Sequence, residues 1–275
     1  MAAIFAKMKE THNFLFYELT DERTRYDFPS IGVLYTLIPF YLYFSTSLGP
    51  SLMKNRQPFK LKTPIYYYNI FQIFISAYIL YLGYMGGWLN GYSFTCQLVD
   101  YDDSPRTRYM LNAVWWYNTV KLIDWMDTVF FVLRKKERQI SFLHLFHHSM
   151  MPVASFIGLK YYPTGHATFL GWVNCFVHVV MYSYYLLAGL GPKYQKYLWW
   201  KKHVTTLQLV QFCMIFIHNL IAILNPNCDY PKWISVLLCI FSLQFVYMFG
   251  SFYYENYKKT PKTSAPEKNG KAKVQ

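Results

Sequence analysis

Long apolar runs alternate with short polar connections along most of the chain, and glycine and proline mark many of the boundaries. A helix that crosses a bilayer needs about 20 mostly apolar residues. Candidate runs lie at about 31–53, 65–86, 109–133, 144–160, 166–190, 203–224 and 232–254. The fourth run is short and contains Pro152, so six spans plus one re-entrant segment stay open as an alternative. The pattern predicts an all-α membrane protein with seven transmembrane helices.

The composition agrees with this class, because 54% of the residues are hydrophobic, 21% are aromatic and only 15% are charged. A net charge of +13 could indicate a nucleic-acid partner. The basic residues instead form short clusters between the apolar runs, which is the pattern of cytoplasmic loops in membrane proteins. We therefore predict a membrane partner and no nucleic acid.

The basic clusters also predict the orientation. Residues 54–62, 134–138 and 193–202 carry most of the lysines and arginines of the connections, and they fall on one side of a seven-span chain. This places the N-terminus outside the cytosol and the C-terminus inside it. The first 28 residues have no long apolar core or small-residue cleavage site, so no cleavable signal peptide is expected.

The two ends of the chain differ from the apolar middle. We divide the chain into a lumenal N-terminal segment (1–28), a spanning part (29–257) and a basic cytosolic tail (258–275). The tail contains proline and lysine without apolar periodicity and is predicted to be disordered. Lys271 and Lys273 stand five and three places from the end, as in dilysine signals that return membrane proteins to the endoplasmic reticulum. The tail therefore predicts that compartment.

Two of the five cysteines bear on the topology. Cys96 follows the second run and Cys228 lies between the sixth and seventh, so both are predicted on the non-cytosolic side. An oxidising lumen permits a disulfide there, and two free thiols stay the alternative. The other three cysteines lie inside apolar runs and are interpreted as small packing residues.

A histidine cluster opens the fourth run. In the stretch S-F-L-H-L-F-H-H-S-M, His144, His147 and His148 stand at positions i, i+3 and i+4. On a helix these positions share one face, so the three imidazoles would point into a common volume. Polar groups are costly in an apolar run unless they have partners. The cluster therefore predicts a functional site, with structural histidines satisfied by neighbours as the alternative.

The third run carries ionisable residues, which are functional candidates by default inside a membrane. Lys121 and Asp124 form an i, i+3 pair that can neutralise itself, and Asp127 is left to find another partner. We expect that partner to be a histidine of the cluster, because a carboxylate on one ring nitrogen orients the imidazole and raises its basicity. A purely structural buried ion pair is the alternative.

Two further runs carry polar faces. In the fifth, one helical stripe holds Asn174, His178 and Tyr185, and Tyr182 stands nearby; the tyrosines are predicted to line a site and His178 to act in it. The sixth begins with Lys201 and Lys202 and continues through Thr205, Gln208 and Gln211. Hydrogen bonding of these amides between helices is the alternative to substrate contact.

With the predicted orientation, all of these polar groups fall in the cytosolic half of their helices. One chamber that opens toward the cytosol would gather them, and the basic residues at 134–138 and 193–202 would form its rim. Such a rim suits a phosphorylated substrate head, and the aromatic bundle suits an apolar tail. Coenzyme A thioesters of fatty acids have both parts.

Three classes of function are compatible with a membrane histidine cluster. A di-iron desaturase or hydroxylase would need more ligands than one H-x-x-H-H cluster supplies. A seven-helix receptor or transporter would leave the shared depth of the polar groups unexplained. An acyl transferase could use an imidazole to attack a thioester and form an acyl-imidazole. We favour the third class.

The motifs carry a resemblance to a known family. The chain resembles the ELOVL family, the very-long-chain fatty acid elongases or 3-ketoacyl-CoA synthases of the endoplasmic reticulum. Four motifs occur in family order: K-L-I-D-W-M-D-T at 121–128, H-L-F-H-H at 144–148, N-C-F-V-H-V-V-M-Y-S-Y-Y at 174–185 and T-T-L-Q-L-V-Q at 205–211. The family usually has glutamate at the position of Asp124. The stretches F-L-H-L-F-H-H and G-P-K-Y-Q-K-Y-L-W-W-K-K look most like the branch that handles saturated and monounsaturated chains.

The resemblance implies a fold and an activity. Helices two to seven would form a six-helix barrel around an acyl tunnel. Acyl-CoA would condense with malonyl-CoA to give 3-ketoacyl-CoA, carbon dioxide and CoA, with no metal and no cofactor. The other enzymes of the elongation cycle would be partners, and a homodimer is left open.

The resemblance also implies roles for residues, carried over by motif position. His147 would form the covalent acyl-imidazole, and His178 would lie close to the reacting carbons. Asn174 and His178 would stabilise the enolate of malonyl-CoA by hydrogen bonds. Cys96 and Cys228 would correspond to the lumenal disulfide of the family. The supporting groups at the reaction centre would be His144, His148 and Asp127, and the substrate contacts would be Lys121, Asp124, Tyr182, Tyr185, Gln208, Gln211, Lys201 and Lys202.

Overall fold

The computed structural model describes residues 2–258 and is helical, with no strand in this part of the chain. Its helices are α1 (Ala2–Asn13), α2 (Ile31–Met53), α3 (Lys62–Met85), α4 (Pro105–Ile123), α5 (Trp125–Leu133), α6 (Phe142–Tyr161), α7 (Thr168–Gly189), α8 (Lys201–Leu224) and α9 (Lys232–Tyr253). The segment before residue 29, for which no element was predicted, contains α1. The predicted tail and its dilysine pair lie beyond residue 258, outside the described residues.

Within residues 2–258, five helices are long and apolar enough to cross a membrane, and these are α2, α3, α7, α8 and α9 continued to Lys258. They confirm a multi-pass membrane protein. The other two predicted spans correspond to α4 with α5 and to α6. The first is interrupted at Asp124, and the second carries the histidine cluster, so both combine span-like length with the polar residues of the site.

The helices pack in an order that differs from their order along the chain. Helix α6 contacts α4, α4 contacts α3, α3 contacts α7, α7 contacts α8, and α8 contacts α9. Aromatic side chains connect α9 back to α6, where the rings of Phe146 and Phe245 lie 6.0 Å apart. Helix α2 lies against α5 and α6. The core between the helices is rich in aromatic side chains such as Trp88 and Tyr117.

A disulfide joins Cys96 to Cys228 at the end of the bundle opposite the histidine cluster. It links the connection after α3 to the connection before α9, across a sequence separation of 132 residues. Closing so long a loop restricts the unfolded chain strongly.

We expect the double variant Cys96→Ser, Cys228→Ser to lower the free energy of unfolding by about 2–5 kcal/mol. The thermal midpoint of the detergent-purified protein measures this loss. Cys213→Ser is the matched control, because Cys213 is a free and exposed cysteine. An unchanged midpoint in the double variant would show that the bond contributes nothing to stability.

Candidate active site

The histidine cluster lies in the first two turns of α6. The side chain of Ser141 caps the helix by accepting a hydrogen bond from the backbone N–H of His144 at 3.2 Å. This start places all three imidazoles on one side, with the rings of His144 and His148 4.2 Å apart and those of His147 and His148 5.3 Å apart. The three rings therefore lie next to one another, as their helical spacing predicted.

A hydrogen bond from α5 compensates for a proline inside α6. Pro152 has no N–H, so it cannot donate to the carbonyl of His148 one turn earlier. That carbonyl accepts a hydrogen bond from the indole Nε1–H of Trp125 at 2.7 Å. Because every backbone group in an apolar environment needs a partner, this bond lets α6 continue to Tyr161 and fixes α5 beside the histidines.

A chain of hydrogen bonds positions the imidazole of His144. Its Nε2 lies 2.7 Å from the hydroxyl of Thr128, which in turn lies 2.8 Å from the hydroxyl of Tyr41. The ring of Tyr41 stacks on Trp125 with centroids 4.8 Å apart. The hydroxyl groups of Thr128 on α5 and Tyr41 on α2 therefore hold the imidazole of His144 in position.

His147 is the member of the cluster that reaches a cavity. Its ring lies against Phe245 and Phe249 of α9, with centroids 5.4 and 6.4 Å away. The cavity wall also includes Asn174 and Gln211, while the rest of it is largely apolar. We call this space the His147 cavity. It offers an imidazole and two amides to a bound apolar molecule.

A second cavity continues from the first. Four residues, Ala154, Leu170, Leu238 and Phe241, line both spaces, so one adjoins the other. The second space, which we call the distal cavity, extends along α6 to Tyr162 and along α9 to Ile234. Its lining is almost entirely apolar. The two cavities therefore lie one after the other between His147 and the far end of the bundle.

The break between α4 and α5 holds a buried ion pair. Nζ of Lys121 donates to Oδ2 of Asp124 at 3.0 Å, and both side chains are buried. Oδ1 of Asp124 accepts from the amide of Gln72 at 2.8 Å. The predicted pairing of Lys121 with Asp124 is therefore confirmed, and Gln72 of α3 satisfies the second carboxylate oxygen.

The prediction that Asp127 pairs with a histidine of the cluster was wrong. A histidine of the cluster was expected, but Oδ2 of Asp127 accepts a hydrogen bond from the hydroxyl of Tyr182 at 2.8 Å. The same hydroxyl lies 3.4 Å from Oδ1 of Asp124 and 3.5 Å from the hydroxyl of Tyr68. The reason is the helix order, because α7 packs against α3 and carries Tyr182 to the two carboxylates. Asp127 thus supports the polar network and makes no hydrogen bond to an imidazole in the described part of the chain.

Asn174 connects this network to the His147 cavity. Its Oδ1 accepts hydrogen bonds from Nζ of Lys121 and from the hydroxyl of Tyr117, each at 3.1 Å. Two donors at the oxygen determine which end of the amide is which. The Nδ2 group is therefore directed away from Lys121, and Asn174 lines the cavity with His147.

The remaining predicted residues lie at different distances from this centre. His178 is buried one turn beyond Asn174, with its ring 5.6 Å from Tyr182. Gln208 contacts the sulfur of Met181 at 3.6 Å, which is a contact between α7 and α8. Tyr185 is partly exposed and lies against Tyr182, and Lys201 and Lys202 are exposed at the start of α8.

Four polar residues of the network were missed in the sequence: Tyr41, Tyr68, Gln72 and Tyr117. Tyr68 and Gln72 stand one turn apart on α3, and Nε2 of Gln72 donates to the hydroxyl of Tyr68 at 2.8 Å. A glutamine inside an apolar run was the signal that could have found them, because a buried amide needs partners. Within residues 2–258, no group of three or more His, Cys, Asp or Glu side chains is arranged to hold a metal ion.

Comparisons with known proteins identify the family of this chain. A family model described as ELO: GNS1/SUR4 family matches residues 28–265. The very long chain fatty acid elongase 7 of Rattus norvegicus is 45% identical over 242 residues, which cover 86% of this chain and 85% of that protein. A very long chain fatty acid elongase of Aedes aegypti is 41% identical, covering 96% and 74%, and the very long chain fatty acid elongase 1 of Mus musculus is 40% identical, covering 89% and 90%. The chain belongs to the ELO (GNS1/SUR4) family, whose elongases it resembles over most of its length.

Proposed function

We propose that this protein condenses a long-chain acyl-CoA with malonyl-CoA to give 3-ketoacyl-CoA, carbon dioxide and CoA, the first step of fatty acid elongation. The observation that carries the proposal is the position of His147, which lines a largely apolar cavity with Asn174 and stands next to a second apolar cavity deeper in the bundle. Family membership favours this reaction over a di-iron oxygenase or a transporter.

The first half of the reaction transfers the acyl group to the protein. A neutral ring nitrogen of His147 attacks the thioester carbon, the carbon–sulfur bond breaks, and the proton on the other ring nitrogen passes to the departing CoA thiolate. The acyl group is then an acyl-imidazole, with its tail in the His147 cavity and the distal cavity. His148 packs beside this ring and His144 packs against His148, so the two support its position.

The second half forms the new carbon–carbon bond. Malonyl-CoA loses carbon dioxide, and the enolate left behind attacks the acyl carbon. The carbon–nitrogen bond to His147 breaks, and the released ring takes up one proton from solvent to regenerate the neutral imidazole. The negative charge that develops on the thioester oxygen needs hydrogen-bond donors. Nδ2 of Asn174 is our candidate donor, because its Oδ1 is held by Lys121 and Tyr117. His178, one turn further along α7, is the second candidate.

The variant Asn174→Asp is expected to reduce kcat by about 10²-fold or more, because it removes the N–H donors while an oxygen remains for Lys121 and Tyr117. The initial rate of product formation at saturating acyl-CoA and malonyl-CoA measures this effect. Asn256→Asp is the matched control, because it makes the same change at an exposed amide after the end of α9, outside the site. Equal rates in the Asn174 variant and the wild type would remove Asn174 from the mechanism.

The architecture proposed for this activity has seven spans. Helices α3, α4 with α5, α6, α7, α8 and α9 would form the six-helix barrel, since their contacts run from one helix to the next and return to α6. Helix α2 would lie outside it. The N-terminus would be lumenal and the C-terminus cytosolic, which places the disulfide in the lumen and the basic residues around 193–202 at the cytosolic mouth.

The proposal extends to compartment and partners. We place the protein in the endoplasmic reticulum membrane, beside the enzymes that complete the elongation cycle by reduction, dehydration and a second reduction. The reaction as written needs the two CoA thioesters and no further cofactor. A homodimer and the preference for saturated and monounsaturated chains stay proposals.

The test of the function is product analysis. Purified protein in detergent is supplied with a panel of acyl-CoAs and with malonyl-CoA labelled at carbon 2, and the products are identified by mass spectrometry. We expect each accepted primer to yield a labelled 3-keto product two carbons longer. Reactions without malonyl-CoA are the control. A double bond introduced without chain growth would support the desaturase alternative.

A further inference from the structure

The acyl path runs along one face of α6. Residue 158 follows residue 147 by eleven positions, which is three helical turns plus about 20°, so Gly158 stands almost directly beyond His147. Ala154 lies within about 20° of the same line. His147 lines the first cavity, Gly158 lines the distal cavity, and Ala154 lines both. The face of α6 that the tail would follow therefore carries small residues.

The three glycines of the distal cavity are not equivalent. A Cβ atom at Gly83 would lie 2.5 Å from Trp172, and a Cβ atom at Gly171 would lie 3.5 Å from the ring of Tyr117. At Gly158 no heavy atom lies within 4 Å of such a Cβ atom. The space beside Gly158 is therefore open, and Gly158 lines the distal cavity.

The distances along α6 can be expressed as a length of acyl chain. Eleven residues of helix advance about 16 Å, and fifteen residues, from His147 to Tyr162, advance about 22 Å. A fully extended chain advances about 1.2 Å per bond, as the backbone itself does. Gly158 thus stands about 14 bonds from the reacting carbon, and Tyr162 about 18 bonds from it.

We propose that Gly158 is a specificity-determining residue that admits acyl chains longer than about 14 carbons, and that the path ends near Tyr162, at about 18 carbons. The proposal rests on the proposed function. A shorter primer would not reach residue 158, whereas a primer of 18 carbons would pass it. A side chain at this position would therefore discriminate by length and leave the chemistry at His147 intact.

The test compares Gly158→Leu with the wild type on two primers, dodecanoyl-CoA and octadecanoyl-CoA. We expect the ratio of kcat/KM for the longer primer to that for the shorter one to fall by at least about tenfold. Leucine favours a helix more than glycine does, so the fold of α6 is not compromised. Gly158→Ala, which adds one carbon, should lower the ratio by less.

Gly250→Leu is the matched control. Gly250 lies inside α9, has no heavy atom within 4 Å of a built Cβ atom, and faces a surface groove separate from the distal cavity. The ratio of kcat/KM for the two primers should be the same in Gly250→Leu as in the wild type. An unchanged ratio in Gly158→Leu, or equal losses on both primers in both Gly158 variants, overturns the proposal.

A binding measurement separates this proposal from the proposed reaction. Each acyl-CoA should raise the thermal midpoint of the wild type in detergent, and the rise from octadecanoyl-CoA should disappear selectively in Gly158→Leu. A wild type that binds both thioesters without malonyl-CoA-dependent product contradicts the reaction and leaves the length assignment standing. Equal stabilisation of both proteins by octadecanoyl-CoA contradicts the length assignment alone.

Discussion

Replacing His147 by alanine is expected to reduce malonyl-CoA-dependent elongation by at least about 10³-fold. The imidazole is the nucleophile in the proposed mechanism, and it is the member of the histidine cluster that lines the cavity. Without it the thioester has no group to which the acyl chain can pass. The rate of labelled 3-keto product formation with a saturating primer measures this loss.

Two controls accompany this variant. His12→Ala changes an exposed histidine of α1, outside the cluster, and should retain full activity. The His147 variant should also remain in the membrane fraction with a thermal midpoint close to that of the wild type, because the ring borders a cavity. Substantial activity in a stable His147→Ala protein would remove this residue from the nucleophile role.

The variant Lys121→Met is expected to lower the free energy of unfolding by about 3–5 kcal/mol. It leaves the buried carboxylate of Asp124 without its cation and leaves Oδ1 of Asn174 with Tyr117 alone. A buried charge without a partner is costly in an apolar surrounding. Thermal midpoints of detergent-purified proteins measure the effect, and elongation should fall as well because Asn174 loses a positioning contact.

Lys62→Met is the control for the loss of a lysine, since Lys62 is exposed at the start of α3. The double variant Lys121→Met, Asp124→Asn should recover part of the lost stability, because both charges are then absent. Strictly additive losses in the double variant would contradict the importance of this ion pair.

What the sequence predicted well is local along the chain. The helical runs follow from apolar length, and the shared face of His144, His147 and His148 follows from helical periodicity. The pairing of Lys121 with Asp124 follows in the same way, because residues at i and i+3 are neighbours on a helix.

What the sequence could not predict depends on how helices pack. Asp127 accepts a hydrogen bond from Tyr182 of α7, and Asp124 accepts one from Gln72 of α3. Both bonds form because α3 and α7 pack against each other and bring these side chains close to the two carboxylates. Separation along the chain carries no information about that register. The wrong expectation for Asp127 came from choosing its partner by chemistry, since a carboxylate can orient an imidazole, whereas helix packing places the hydroxyl of Tyr182 beside it.

Pro152 shows the same limit for a backbone group. In the sequence it weakened the prediction of a fourth span, because proline removes a helical hydrogen bond. In the structure the freed carbonyl of His148 accepts from Trp125, and the helix continues. Only the contact between α5 and α6 reveals this compensation.

The measurement that tests the mechanism most directly is detection of the acyl-enzyme. Purified protein is mixed with octadecanoyl-CoA in the absence of malonyl-CoA, quenched in acid and analysed by mass spectrometry. The account predicts one acyl group per chain, located at His147 in the segment 139–160, between Arg138 and Lys160. The group should be absent from His147→Ala, and it should be released when malonyl-CoA is added before the quench. An active protein that carries no acyl group, or carries it on another residue, would contradict the account.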